Sequence, residues 1–255
     1  MRRPTWLAAW TWAVVAFLLF PLLVIAAFSF NGQDMTALPL TGPSLRWYIA
    51  LAQSGELIDA LLDSVIIALA ASVLATVLGV SAAIGLSRMT PRLSGRLGAV
   101  LAIPMMTPHL VIGIALLNLY SLLNVDLSLA TVVLGHVVVA TPYVLLVASA
   151  RLAGLDPRIE EAARDLGASA FAVVRDILLP HLAPAIVSAA LIAFTLSFDE
   201  VVITFFTVGN QNTLPTTIWA MLRFGITPQI NAISTIAMVM TVVLALVAER
   251  LLRHR

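Results

Sequence analysis

The stretch DPRIEEAARDLGASAFAVVRDILLPHLAP, Asp156–Pro184, decides how the chain is read. It is polar at its start, punctuated by proline and glycine, and set between two apolar runs near 128–150 and 185–207. The chain as a whole has a mean hydropathy of +1.04 and only 11% charged residues, so this concentration of arginine and carboxylate needs a reason. Asp156 suits a helix N-cap and Pro157 the first helical position, where its missing N–H costs nothing. Residues 157–166 are helix-forming, and Gly167 stands where a left-handed C-terminal cap belongs. Ile159, Ala163 and Leu166 fall on one face of this short helix, with Arg158, Glu161 and Asp165 elsewhere. A second helical run from about Ala170 to Leu179 is expected to end at Pro180. A helix this short is marginal alone in water, so it leans either on the chain's own helix ends or on a partner's groove.

Outward from this segment, hydrophobic residues make up 61% of the 255 residues. Several stretches of about 18 or more residues carry almost no charge, long enough to cross hydrocarbon as helix. The ten-residue alternation of membrane barrels is absent, which leaves helices as the way to satisfy backbone polar groups in lipid. The expected fold is therefore an all-α membrane protein, residues 1–255 forming one domain. Six spans are placed near 7–28, 65–86, 97–121, 128–150, 185–207 and 230–248. The first follows Arg2 and Arg3 but is long for a signal peptide and lacks a clear cleavage site, so it is read as an uncleaved helix.

Arginine placement sets orientation. With the N-terminus in the cytoplasm, twelve arginines (2, 3, 88, 92, 96, 151, 158, 164, 175, 250, 253 and 255) lie inside, and only Arg46 and Arg223 lie outside. This positive-inside bias puts both termini and the 151–184 loop in the cytoplasm. The outer loop 31–62, with Asp34, Glu56 and Asp59, has room for a short surface helix around Leu45–Leu51. There is no cysteine, which excludes disulfides and thiol chemistry. All 14 basic residues are arginine, so the chain has no Walker A lysine and no lysine nucleophile. No metal site is expected, since no carboxylate or second histidine stands at ligand spacing beside His109 or His136.

Within the spans, Ala71, Ala75, Gly79 and Ala83 recur every four residues, which is either a close-packing stripe or general alanine richness. Pro104 and Pro108 should bend or break the third span, at a structural kink or along a pathway. Asp199 and Glu200 are the most informative membrane acids, because each would cost about 2.5–3.5 kcal/mol facing lipid at a helix centre. Ser188, Thr195 and Asp199 share one stripe of the fifth span; Ser197, Glu200, Thr204 and Thr207 share another about 100° away. Each acid is either a cation-attracting group in a pathway or a structural cap or partner. His109, His136 and Asn118 either line a pore or satisfy buried backbone.

Glu161-Ala162-Ala163, three residues, Gly167, nine residues, then Ile177-Leu178-Leu179-Pro180 resembles the EAA signature of permease subunits of bacterial ATP-binding-cassette importers, at full spacing. Phe28-Ser29-Phe30-Asn31, Trp47-Tyr48, Ser197-Phe198-Asp199-Glu200-Val201-Val202 and Gly225-Ile226-Thr227-Pro228 with Asn231-Ala232 resemble the second permease subunits of spermidine/putrescine importers. The resemblance implies the type I importer permease fold, with six transmembrane helices and both termini cytoplasmic, in a bacterial inner membrane. It implies that Glu161, Ala162, Ala163 and Gly167 dock on a cytoplasmic ATPase dimer, with Leu179 and Pro180 steering the chain back into the membrane. It further implies a second homologous permease subunit and an external solute-binding protein as partners. ATP and magnesium would sit on the ATPase, leaving this chain without a cofactor, a catalytic residue or a nucleic-acid partner.

The solute expected from the resemblance is a polyamine or other amine, with Asp199, Glu200, Thr195 and His109 as pathway residues. One departure bears on it: polyamine-type relatives often carry an acid where this chain has His109, which removes one ammonium partner. The competing class is a stand-alone secondary transporter using Asp199 and Glu200 for proton coupling. An intramembrane enzyme lacks any His-Glu-x-x-His or Gly-x-Ser-x-Gly motif.

Overall fold

A computed structural model describes residues 5–33, 42–223, 225 and 227–253. Arg2, Arg3, Asp34, Ile226 and Arg255, which entered the sequence reading, lie outside them. The described chain is helical, and its one β-bridge joins Asn31 to Pro43. The helices are α1 (Thr5–Ser29), α2 (Arg46–Gln53), α3 (Gly55–Ser87), α4 (Pro91–Met106), α5 (His109–Leu122) and α6 (Leu129–Leu152). Then come α7 (Pro157–Asp165), α8 (Ala170–Val173), a π turn (Val174–Leu178), α9 (Leu179–Phe198), α10 (Val202–Thr207), α11 (Leu214–Leu222) and α12 (Pro228–Arg253).

Among the described residues, four helices are long and apolar enough to cross a membrane, Trp6–Ser29, Gly55–Ser87, Leu129–Leu152 and Ala170–Phe198. A fifth span results if α4 and α5, bent by 99° at Thr107-Pro108, count as one. Pro228–Leu244 is a shorter apolar helix. The expected short surface helix is present as α2.

Three sequence boundaries need correction. The second span was placed at 65–86, but α3 starts at Gly55 and runs 33 residues, or roughly 50 Å at 1.5 Å per residue. Glu56, Asp59 and Asp63 are charged, so hydropathy ends the span early, yet an acid in the first turn favours the helix dipole. The fifth span is not one helix over 185–207: α9 stops at Phe198 and α10 starts at Val202. Pro180 does not end the preceding helical run. The Leu179 N–H reaches back to the Val174 carbonyl, a π-type bond that widens the turn and lets the helix pass through the proline. The segment after α10, read as loop, also contains α11.

Contacts between Cα atoms group the chain into two compact units, Met1–Asp59 with Thr217–Val243 and Ala60–Thr216 with Leu244–Arg255. In the first unit, the motifs at 28–31 and 47–48 pack on each other. The Ser29 and Tyr48 hydroxyls are 2.7 Å apart, and the Trp47 indole N–H donates to the Asn31 carbonyl at 2.8 Å. These residues are accounted for as a polar latch fastening α2 to the end of α1. The first apolar helix itself buries nothing of its most hydrophobic window in this chain.

The core of the second unit is the junction of α3, α6 and α9, with Ala75, Ala83, Val144, Leu182 and Ala189 buried together. The small-residue stripe is this packing face: Ala71, Ala75, Gly79 and Ala83 are all buried. A Cβ on Gly79 would stand 2.6 Å from Val144 Cβ and 3.0 Å from the Leu145 backbone nitrogen. Close backbone approach replaces the hydrophobic effect as the driving force between helices in lipid. Ser72 adds a hydrogen bond to the Ala190 carbonyl at 2.6 Å. We therefore expect Gly79→Val to destabilise the helix junction by about 1–3 kcal/mol through overpacking. A detergent-solubilised variant with an unchanged melting temperature would contradict this packing.

Candidate functional site

Two places in the second unit gather the singled-out residues: the break between α9 and α10, and the loop around α7. At the break, the chain leaves helical geometry after Phe198 and Glu200 restarts it. One carboxylate oxygen of Glu200 accepts the Ile203 N–H at 3.0 Å, satisfying a donor at the start of α10. The other lies 2.6 Å from His109 Nδ1, at the first residue of α5. Both positive helix ends therefore converge on one carboxylate, which is 9% exposed. The two broken spans meet through a pair 91 positions apart in the chain.

α10 is wedged between α5 and α6, which fixes this geometry. Gly113 and Gly135 leave room for it: a Cβ on Gly113 would meet the Phe206 ring at 2.7 Å, and one on Gly135 would meet Ile203 at 2.8 Å. Behind the pair, His136 is buried, with Nδ1 2.7 Å from the Ser197 hydroxyl and Nε2 3.0 Å from the Thr204 hydroxyl. Thr204 donates its own proton to the Glu200 carbonyl at 2.7 Å, so it accepts from Nε2–H, and Ser197 donates to Nδ1. His136 thus satisfies buried polar groups. The space among Ser64, His136, Ser197, Glu200 and Thr204 has no room for a water molecule, so this network is a closed seam.

The two stripes of the fifth span have different fates. Ser197, Glu200, Thr204 and Thr207 point inward and are buried. Thr195 and Asp199 are exposed, and the Asp199 carboxylate has no hydrogen bond or ion pair among the described residues. Asp199 and Glu200 are adjacent, yet one charge is held internally and the other is presented outward. Asn118 is exposed as well.

In the loop, local chemistry matches the sequence reading. The Asp156 side chain accepts the Arg158 N–H at 3.0 Å, with Pro157 in the first turn of α7. Gly167 has φ +88°; its N–H donates to the Arg164 carbonyl, and the Ala168 N–H to the Ala163 carbonyl, the double bond of a Schellman cap. No residue of α7 is buried. Glu161, Ala162, Gly167, Leu179 and Pro180 are exposed and Ala163 is half-buried. Ile159 and Leu166 are apolar yet 47% and 90% exposed.

Two features of the loop were not foreseen. At its base, Arg151 Nε donates to the His181 carbonyl at 3.1 Å, and His181 Nε2 lies 3.4 Å from the Arg151 carbonyl, so the two ends are clamped. Glu160 binds Arg88, just past the end of α3, at 3.3 Å and Arg164 at 3.4 Å. Behind α7 lies an open cavity of about 1130 Å³ between α3, α4 and α6, with Met105, Met106 and Leu145 in its wall.

The chain is similar to known proteins over most of its length. Residues 75–254 match the family described as Binding-protein-dependent transport system inner membrane component. Among curated relatives, the chain is similar to the spermidine/putrescine transport system permease protein PotC of Haemophilus influenzae, 37% identical over 96% of this chain and 95% of that one. Among solved structures it is similar to a chain of a bacterial ABC transporter involved in import of the acidic polysaccharide alginate. That match has a TM-score of 0.76 at 13% identity, over 97% of this chain and 95% of that one. A second alginate transporter structure, in complex with a pentasaccharide-bound periplasmic protein, gives a TM-score of 0.71 at 15% identity, over 98% and 93% of the two chains. At these identities the structural likeness concerns the fold.

Proposed function

We propose, from the premise that this chain belongs to the family of binding-protein-dependent transport system inner membrane components, a specific division of labour within it. The chain is an ABC importer permease subunit and not an enzyme. In the proposed arrangement it crosses a bacterial inner membrane six times, the α4–α5 pair and α12 each making one span, with both termini cytoplasmic. The loop 151–184 then faces the cytoplasm and meets a dimer of ATPase subunits. ATP and magnesium belong to those subunits. A second, homologous permease completes the pathway, and an external solute-binding protein delivers the cargo.

The observation that carries this reading is α7, a capped helix in a charged loop with no buried residue and with apolar side chains turned outward. An isolated helix of nine residues is not stable in water by itself, so a partner groove that receives Ile159, Ala162 and Leu166 explains its form. Glu161, Ala163 and Gly167 border that contact; Leu179 and Pro180 return the chain toward the membrane. Mechanistically, nucleotide binding favours one ATPase conformer, and the loop passes that preference to the spans as a difference between inward-open and outward-open states.

The proposed solute is an amine of the polyamine class, supported by the named relative. In this reading Asp199 and Thr195 line the path, and Asp199 takes an ammonium group. Glu200 and His109 border the path but are engaged with each other at 2.6 Å, which holds the α5 and α10 ends in place. A proton-coupled secondary carrier is less consistent with that geometry, because Glu200 is committed to a helix cap and an ion pair in a seam without water.

The test is affinity purification of the tagged chain from its native membrane in mild detergent. A second permease chain should come with it in equal amount, and an ATPase subunit in twice that amount. Recovery of the chain alone, still able to accumulate solute in proteoliposomes without ATP, would sink the reading.

A further inference from the structure

The loop carries two adjacent glutamates that both border the cavity behind α7, and Glu160 is the one that reaches across to Arg88. At about 100° per residue, Pro157, Glu160, Glu161 and Arg164 fall within one sector, while Ile159, Ala162 and Leu166 fall on the opposite side. The first sector faces this chain: Pro157, Glu160, Glu161 and Arg164 border the cavity behind α7, and of these Glu160 reaches Arg88. The opposite sector is the exposed apolar one. Because a cavity and not packed side chains lies behind α7, little besides the covalent ends joins this helix to the membrane core. The Arg151–His181 clamp fixes those ends to α6 and α9. Glu160–Arg88 is the tie that spans the cavity mouth and reaches α3.

We propose that the Glu160–Arg88 pair is a strut that transmits displacement of α7 to α3, a positioning role separate from docking. This rests on α7 being the docking helix. α3 is well placed to spread the displacement, since it packs against α6 at Gly79 and hydrogen-bonds α9 through Ser72. A push on the loop thus reaches the three-helix junction by a direct route as well as through the loop ends. Arg164 on the same face keeps Glu160 extended toward Arg88 by binding the same oxygen.

The experiment uses the complete transporter in proteoliposomes, measuring uptake per ATP hydrolysed and retention of the ATPase during purification. Glu160→Gln and Arg88→Gln should each retain the ATPase and its hydrolysis while uptake per ATP falls about fivefold, the scale that a partly exposed ion pair supports. The exchanged pair Arg88→Glu with Glu160→Arg, built on Arg164→Gln to avoid a new like-charge neighbour, should recover at least about half of the uptake per ATP of Arg164→Gln alone. Unchanged uptake per ATP in the single variants would overturn the strut. So would an exchanged pair that performs no better than Glu160→Arg on the same background, or single variants that lose the ATPase, since Glu160 would then belong to the docking face. Leu166→Glu separates the two ideas: if it keeps the ATPase at full occupancy, the docking reading of α7 fails whatever the ion pair shows.

Discussion

Gly167→Asp is expected to leave the protein inserted and folded while cutting transport by about 100-fold, equivalent to roughly 2.7 kcal/mol. Two effects add. The residue has φ +88°, where aspartate, although better tolerated than most side chains in left-handed backbone, still costs up to about 1 kcal/mol at the cap of α7. The cap itself is needed, because it closes both bonds that end the helix next to the proposed groove. A carboxylate there must also be desolvated against the partner, which costs more than the strain. Space within this chain is not the obstacle, since a Cβ at 167 would meet nothing within 4 Å. Gly167→Asn separates the contributions: asparagine matches aspartate in shape and in tolerance of left-handed backbone but carries no charge, so it should transport far better than the aspartate variant if desolvation of the carboxylate is the larger effect. Full uptake by Gly167→Asp in a reconstituted complex would remove the loop from the coupling route.

Asp199→Asn should reduce kcat/KM for a cationic solute by roughly 30- to 100-fold, with little change in the amount of assembled complex. The carboxylate is exposed and has no partner among the described residues, so its neutralisation removes no contact among them. What it removes is an ion pair with an ammonium group in a partly dry path, where a lost partner costs 2 kcal/mol or more, of order 30-fold. The adjacent Glu200→Gln should behave differently. It weakens the α10 cap and the tie to His109, so it should lower thermal stability and yield before it changes solute affinity. The two variants, assayed side by side for melting temperature and uptake, distinguish a pathway acid from a structural one. Equal effects on both measurements would show that the outward and inward stripes have no separate roles.

The contrast between these two acids also shows where sequence reasoning stops. Asp156, Pro157 and Gly167 were legible because capping chemistry acts over a few residues of chain. The stripe at Ala71, Ala75, Gly79 and Ala83 was legible as a pattern, but its partners Val144 and Ala189 were not, since packing across helices leaves no local mark. Asp199 and Glu200 were assigned to different stripes on helical phase alone. The break after Phe198 ended that helix, and only the position of α5 decided which acid found a side-chain partner. His109 was visible as a departure in a membrane segment; that it meets Glu200 depends on a 99° bend whose site the prolines indicated and whose direction they did not. Pro180 misled because a missing N–H usually ends a helix, whereas here a wider turn absorbed it. Glu160 and Arg88 gave no signal at all: each is an ordinary charged residue until the fold brings them together.

The π turn at Val174–Leu178 has a mechanical consequence. A turn of this kind holds one residue more than its α-helical neighbours, and that surplus need not stay in one place. If it migrates by a single position, one side chain swings to a new azimuth while the helix on either side keeps its hydrogen bonds. The descending limb of the loop is therefore built like a vernier. Such a shift would re-aim side chains such as Arg175 and Asp176 in discrete steps without lengthening the rod or melting it. In the proposed coupling, a lever that also permitted stepwise rotation would suit a joint that is pushed and then returns to its starting register in every cycle.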